Sequence, residues 1–323
     1  MSSRCFRLAV VALSVATLCL GLAACGSPSP HEGSPTASPA AETPHVAVAI
    51  APYAWLVEQI EPHAEVTVLV TAGETPETFQ PTDAETARLL KTRLYLRAGV
   101  PFERGGWLTA LERAGGPQIV DLQQDLARHG LGLRSIDGGG AAHSHADQST
   151  GGHDPHVWLA PAYLTAQAHT VTEALAATWP ERATTHRANL ETLRSELGRL
   201  EAELGERLAP YRGRSVLVLH PSWGYFTDAY GLRQLALEIA GQTPSDGELT
   251  ALRRAADAAG VRTLFVPPQL AGPRTAAIVR ALGLEYATLD PLARDVVANL
   301  RHTAELLVAS FSGASLPTTE ALQ

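Results

Sequence analysis

The segment from 180 to 210 constrains the fold of this chain more than any other. Its leucines recur at steps of three and four residues, at Leu190, Leu193, Leu197, Leu200 and Leu204. Glutamate and arginine occupy the other faces. This spacing predicts one uninterrupted α-helix of about 27 residues and about 40 Å. A coiled coil would need more heptads than the segment contains. We therefore expect a rigid helix that joins the parts of the chain on its two sides.

Short β-branched runs alternate with helical patterns on both sides of this segment. Four of them precede it, at 45–50, 65–70, 92–99 and 117–122. Four more follow it, at 214–220, 233–239, 262–268 and 285–290. Strands that alternate with helices form mainly parallel sheets. We predict an α/β fold class, with two lobes of mainly parallel four-stranded sheets joined by a single long spine helix.

The first 24 residues have the order of a secretory signal. Arg4 and Arg7 precede an apolar stretch from 8 to 22, and small residues lead to Cys25. The apolar stretch is too short to cross about 30 Å of hydrocarbon. Its end, Leu-Ala-Ala-Cys, resembles the lipobox of bacterial lipoproteins, which implies a diacylglyceryl thioether on Cys25 as the first mature residue. A plain secretory signal with an incidental cysteine is the alternative.

Cysteine use restricts the chemistry of the mature chain. Cleavage before Cys25 removes Cys5 and Cys19 and leaves one cysteine, which is lipidated, so no disulfide is possible. Any metal site must then use His, Asp and Glu. Residues 26–44 are rich in Pro, Ser and Ala, which is typical of a solvated tether. The predicted organisation is a signal peptide at 1–24, the lipidated cysteine and tether at 25–44, an N-terminal lobe at 45–179, the spine helix at 180–210 and a C-terminal lobe at 211–323.

The charge of the mature chain argues against a nucleic-acid partner. Removing residues 1–24 takes away two arginines and no acid, so 25 − 2 = 23 basic residues face 33 acidic ones, a net charge of −10. Such a balance suits a protein that binds cations. The remaining body of about 280 residues is long enough for two domains of typical size. We expect a monomer.

Four side chains are candidate metal ligands. His220 and Asp290 end predicted strands, Glu77 lies in the loop that leaves a third, and His156 lies between the fourth strand and the next helix. Open parallel sheets bind ligands at the carboxyl ends of their strands. Two imidazoles and two carboxylates from four loops suit a borderline to hard divalent ion. Taken singly, His220 could cap a strand end, Asp290 could be the N-cap of the helix that follows it, and Glu77 could be a solvated acid.

The motifs around these four residues carry a family resemblance. They read GETPETFQP, DPHVWLAP, LVLHPSWGYF and TLDPLARD. Their order is similar to that of the ZnuA-like or TroA-like (cluster A-I) zinc and manganese solute-binding lipoproteins of ABC transporters, over essentially the whole mature body. The resemblance implies metal ligands at Glu77, His156, His220 and Asp290. It also implies capture of the ion outside the cytoplasm, at a membrane-anchored lipoprotein of the periplasm or outer face of the cell membrane, and delivery to an ABC transporter permease.

Two features bear on which metal is bound. Zinc members of the family usually have histidine at the first ligand position, whereas this chain has Glu77. The loop from 138 to 156 nevertheless places His143, His145 and His153 where zinc members often carry a His-rich insertion. Imidazole suits zinc, and manganese prefers oxygen. We expect Zn²⁺, with Mn²⁺ as the alternative, and we interpret the three loop histidines either as accessory metal ligands or as solvated residues.

Other functional classes explain the sequence less well. A metal-dependent hydrolase needs an open coordination position and a general base, and the chain has neither an HExxH helix nor a GxSxG turn. An adhesin or structural lipoprotein gives no reason for four convergent ligands. Siderophore and cobalamin binders have a similar two-lobe design but bind large chelates. We therefore expect a binding protein and not an enzyme.

Overall fold

The computed structural model describes residues 43–135, 152–237 and 245–316. In that part of the chain, strands form two parallel sheets of four strands each. The first sheet contains β1 (His45–Val48), β2 (Glu65–Val68), β3 (Leu94–Arg97) and β4 (Gln118–Asp121), in the order β2-β1-β3-β4. The second contains β5 (Ser215–Val218), β6 (Arg233–Ala236), β7 (Thr263–Val266) and β8 (Glu285–Thr288), in the order β6-β5-β7-β8. The predicted α/β class with two four-stranded parallel sheets is confirmed.

The two sheets repeat one pairing scheme. In the first, Val46 of β1 lies opposite Val66 of β2 and Leu94 of β3. In the second, Leu217 of β5 lies opposite Leu235 of β6 and Leu264 of β7. Because every pair is parallel, the carboxyl ends of the four strands meet at one edge of each sheet, where open α/β folds bind ligands.

The helices surround these sheets. Their bounds are α1 (Ala51–Ile60), α2 (Asp83–Leu89), α3 (Trp107–Arg113), α4 (Pro161–Thr178), α5 (Ala183–Leu208), α6 (Gly224–Ala229), α7 (Asp246–Ala258), α8 (Pro273–Leu282) and α9 (Val296–Ser312). Within the described ranges, none of these helices is both long and apolar enough to cross a bilayer. The N-cap of α9 is Asp295, whose side chain accepts a hydrogen bond from the amide of Ala298. The alternative in which Asp290 caps this helix is therefore wrong.

Helix α5 is the predicted long helix, and it is confirmed. It runs for 26 residues between 3₁₀ turns at Pro180–Arg182 and Ala209–Tyr211. The five leucines that define its apolar face are all buried. The helix contacts α1 and α4, which precede it in the sequence, and α9, which follows it. One hydrophobic core consequently continues from the first sheet through α5 and α9 to Val218 and Phe265 of the second sheet.

A buried ionic cluster fixes the start of α5 to the end of α1. The carboxylate of Glu61 is 3% exposed and accepts hydrogen bonds from the amide of His63, from Arg182 and from Nε2 of His186, each at 3.0 Å. The side-chain amide of Asn189 also donates to the carbonyl of Ile60 at 2.9 Å. These contacts orient the long helix against the first sheet.

Several predicted features lie outside the described residues. They are the signal peptide, Cys25, the tether up to residue 42, and the loop histidines His143 and His145. We refer to the parts that contain β1 to β4 and β5 to β8 as the N-terminal and C-terminal lobes. Their sequence limits, 45–179 and 211–323, remain predictions.

Candidate metal centre

Three of the four predicted ligands converge at one point. Glu77 lies in the loop after β2, His156 lies just before the 3₁₀ turn Val157–Leu159, and His220 lies two residues after β5. One possible ligand atom from each side chain lies within 4.8 Å of those from the other two. The group therefore combines two residues that precede the long helix with one that follows it.

The ring of His156 is buried and held by Asp154. Its Nδ1 atom lies 2.7 Å from Oδ1 of Asp154, and the backbone amide of His156 donates to the same oxygen at 3.0 Å. In the tautomer that donates Nδ1–H to this carboxylate, Nε2 keeps its lone pair. A carboxylate behind a histidine in this way orients the ring and raises its basicity toward a metal.

Trp158 joins His156 to the loop that carries Asp290. Its side chain is fully buried, and its ring centroid lies 5.2 Å from that of His156. The indole Nε1 donates a hydrogen bond to the carbonyl of Pro291 at 2.7 Å. The tryptophan therefore sets the separation between the second and fourth predicted ligands.

His220 completes the group from the C-terminal lobe. Its Nε2 atom lies 3.3 Å from Oε1 of Glu77, a close contact that lacks hydrogen-bond alignment. Nε2 is shielded from solvent and has no hydrogen-bond partner among the described residues. The ring also meets that of His156 edge-on, with centroids 5.2 Å apart. A buried ring nitrogen that faces a carboxylate without a hydrogen bond suits a metal ligand.

The electrostatics of Glu77 favour its charged form. Burial raises the pKa of its carboxyl group, but the contact with His220 and the electrostatic effect of the two neighbouring imidazoles lower the pKa by more. The net pKa of Glu77 is therefore below its usual value. An ionised carboxylate between two imidazoles can bind a divalent cation.

Asp290 is not a member of the converged group. Its Oδ1 accepts hydrogen bonds from Nε2 of Gln269 at 2.8 Å and from the amide of Leu292 at 2.9 Å. Its carbonyl accepts from the side chain of Asn299 at 2.8 Å. Among the described residues, both hydrogen bonds to this carboxylate fall on Oδ1, so Oδ2 is the oxygen that could bind an ion.

The predicted accessory histidine His153 also lies outside the group. It is exposed and forms an antiparallel bridge with Ser135. It lines a polar pocket with Arg97, Arg104 and Gln123. His153 therefore marks the base of the loop and is not a member of the converged group.

Sequence reasoning missed two residues that build the site. Asp154 has a local signal, because a carboxylate two residues before a histidine can reach its ring across an intervening proline. Gln269 has none, since it meets Asp290 through the packing of two separate loops.

Residues 46–309 match the sequence model of the family described as zinc-uptake complex component A, periplasmic (ZnuA). The chain belongs to the ZnuA family. The predicted resemblance is thereby confirmed, and the matched range includes every described ligand candidate.

Individual ZnuA relatives agree with this assignment. A protein of Chlamydia trachomatis serovar D, to which metal binding is ascribed, is 28% identical over 79% of this chain and 87% of its own length. The high-affinity zinc uptake system protein ZnuA of Paracoccus denitrificans is 31% identical over 48% of this chain and 49% of its own length. The chain is also similar to a crystal structure of a zinc-bound ZnuA deletion mutant, with 30% identity and a TM-score of 0.73. The match covers 85% of this chain and 100% of the chain in that crystal structure.

Proposed function

We propose that this protein is an extracytoplasmic solute-binding protein that captures Zn²⁺ between its lobes and delivers it to an ABC transporter permease. The observation that carries the proposal is the convergence of Glu77, His156 and His220, with the buried Nε2 atom of His220 making no hydrogen bond to the described part of the chain. The zinc ion is the cargo of this protein and takes part in no reaction. The ZnuA relatives support zinc as that cargo.

The geometry of the group suits zinc. Zinc bonds to nitrogen and oxygen are about 2.0–2.1 Å long, so two ligand atoms of a tetrahedral site lie about 3.3 Å apart. The contact between Nε2 of His220 and Oε1 of Glu77 is 3.3 Å. Two imidazoles also favour zinc over manganese, which prefers a set of oxygen ligands. Manganese remains the alternative cargo because of the carboxylate at Glu77.

We assign the fourth ligand position to Oδ2 of Asp290. The side chain of Asn299 and the indole of Trp158 hold the backbone directly after this carboxylate, through the carbonyls of Asp290 and Pro291. The full set is then two nitrogens and two oxygens. With four protein ligands the coordination sphere is closed, which suits binding and release and leaves no position for a catalytic water.

The proposal also includes a membrane anchor, a monomeric state and accessory zinc ligands. The lipobox-like sequence supports a diacylglyceryl anchor on Cys25, and the polar tether supports separation of the binding body from the membrane. We propose that the protein acts as a monomer. His143, His145 and His153 are proposed as weak accessory zinc ligands that raise the local concentration of the ion.

Metal binding by the purified protein tests the proposal. Competitive calorimetry with Zn²⁺ and Mn²⁺ should find one tight zinc site in the wild type. His220→Ala should lower zinc affinity by more than about 100-fold, since loss of a group behind a ligand alone costs about 10–100-fold. His302→Ala is the matched control, because this histidine lies on the exposed side of α9. Zinc affinity unchanged in His220→Ala, or no zinc bound by the wild type, would contradict the proposal.

A further inference from the structure

Arg134 closes the base of the segment that leads to His156. Its carbonyl accepts a hydrogen bond from the amide of Asp154 at 2.9 Å, and its neighbour Ser135 pairs with His153. The chain therefore returns to Arg134 only two residues before the buried histidine of the metal group. Any displacement of Arg134 acts directly on Asp154.

The side chain of Arg134 reaches the helix that follows His220. Its guanidinium donates to the carbonyl of Gly224 at 3.2 Å and forms an ion pair with Asp228, both in α6. Its Nε atom lies 3.6 Å from Oδ2 of Asp154. The two oxygens of Asp154 thus face different partners, because Oδ1 contacts the ring of His156 and Oδ2 contacts Arg134.

The start of α6 is shaped to receive this guanidinium. A Cβ atom at Gly224 would lie 2.6 Å from Nε of Arg134, so any larger residue there would displace it. The hydroxyl group of Tyr225 accepts from the amide of Arg134 at 2.9 Å and donates to the carbonyl of Asp154 at 3.0 Å. The Arg134 guanidinium also lies 5.8 Å from the Tyr225 ring centroid.

We propose that Arg134 is a positioning residue for metal capture. It holds Asp154, and through Asp154 the ring of His156, at a fixed place relative to α6, which begins four residues after His220. The inference rests on the proposed zinc function, which needs two imidazoles from different lobes to meet at one ion. Without the Arg134 contact the carboxylate of Asp154 can turn away from His156, and the rings of His156 and His220 lose their fixed separation.

A positioning role and a purely electrostatic role of Arg134 predict opposite changes in zinc affinity when the side chain is removed. A positive side chain near a divalent cation weakens its binding, so removing the charge alone would raise zinc affinity. Loss of a positioning contact lowers the affinity instead, as it does for other groups that orient metal ligands. Arg134→Lys keeps the charge but cannot donate from a planar guanidinium to several acceptors at once.

The experiment compares Arg134→Ala, Arg134→Lys and Tyr225→Phe with the wild type. Zinc affinity is measured by competition with a chelator, and the visible spectrum of the Co²⁺-loaded protein reports ligand geometry. Both Arg134 variants should bind zinc about 10-fold more weakly and show an altered Co²⁺ spectrum. Tyr225→Phe should also lower the zinc affinity and alter the Co²⁺ spectrum, but to a smaller extent. Arg301→Ala, which removes a 2.9 Å pair between α9 and Glu203 of α5, is the control and should change neither.

The outcomes separate the two proposals. A wild-type protein that binds no zinc would overturn the proposed function itself. If the wild type binds zinc while Arg134→Ala binds it equally well or more tightly, with an unchanged Co²⁺ spectrum, the positioning role is wrong. Should Arg134→Ala fail to fold, Arg134→Lys and Tyr225→Phe decide by the same two measurements, and wild-type values in both would also overturn it.

Discussion

Replacing Glu61 with glutamine should destabilise the protein strongly, although Glu61 lies outside the metal group. Its carboxylate accepts three hydrogen bonds at 3.0 Å, from the His63 amide, Arg182 and His186. Glutamine keeps the shape but loses the charge, and its NH₂ group faces neighbours that are themselves donors. Hydrogen bonds to a charged group contribute about 1.5–3 kcal/mol each, and the glutamine oxygen retains one or two of them. We expect a loss of about 3 kcal/mol, close to the value for breaking a buried ion pair.

The pH dependence of this loss follows from the pKa of Glu61. Burial raises that pKa, but the hydrogen bonds from His186, the His63 amide and Arg182 lower it by more, so it lies below its usual value. A carboxyl group with a lowered pKa in the folded state stabilises the protein fully above its unfolded pKa of about 4.3. That contribution is lost as pH falls through the folded pKa. The difference between wild type and Glu61→Gln should therefore be largest near neutral pH and shrink in acid.

Urea unfolding of the metal-free protein, followed by tryptophan fluorescence from neutral pH into the acid range, measures this difference. The matched control is Glu203→Gln, because Glu203 of α5 also pairs with an arginine but is 41% exposed. An exposed pair of this kind contributes about 0–1 kcal/mol. If Glu61→Gln costs no more than the control at neutral pH, or if its cost does not fall in acid, the reasoning is refuted.

Three further predictions concern the metal and the membrane. Glu77→His should give three nitrogens and one oxygen and widen the preference for zinc over manganese; an unchanged or smaller affinity ratio in competitive calorimetry would contradict the ligand assignment. Deleting residues 138–150 should reduce the number of weakly bound zinc ions in equilibrium dialysis and leave one tight site, because the tight site is assigned to residues outside this range; disappearance of the tight site would show that a loop histidine binds the primary ion. Cys25→Ser should leave the precursor uncleaved and abolish labelling by radioactive fatty acid; membrane retention without incorporated lipid would count against the anchor.

The sequence predicts the fold well because its patterns are local. The apolar positions of α5 repeat with helical spacing, and all five predicted leucines are buried. The strands of both sheets are short aliphatic runs between helical segments, so their existence follows from periodicity. The start of α9 does not follow from the sequence, because both Asp290 and Asp295 precede apolar residues and only the hydrogen bond to the Ala298 amide identifies the cap.

The candidate site is less predictable because its supports come from distant parts of the chain. Glu77, His156 and His220 could be proposed since each sits in a recognisable motif after a strand or before a helix. The contact of Arg134 with Gly224 joins residues 90 positions apart and has no pattern in the sequence. The position of Asp290 outside the converged group likewise depends on Gln269, which no motif identifies.

The continuous core through α5 limits how modular the two lobes can be. A fragment that ended after α5 would lose the contact of this helix with α9, and one that began after it would lose the contact of α9 with the long helix, so each would expose apolar side chains of the shared core. Each large aliphatic side chain left in water costs about 1.5–3 kcal/mol. Recombination between relatives could therefore exchange surface loops freely, but a lobe could be exchanged only together with the matching face of α5.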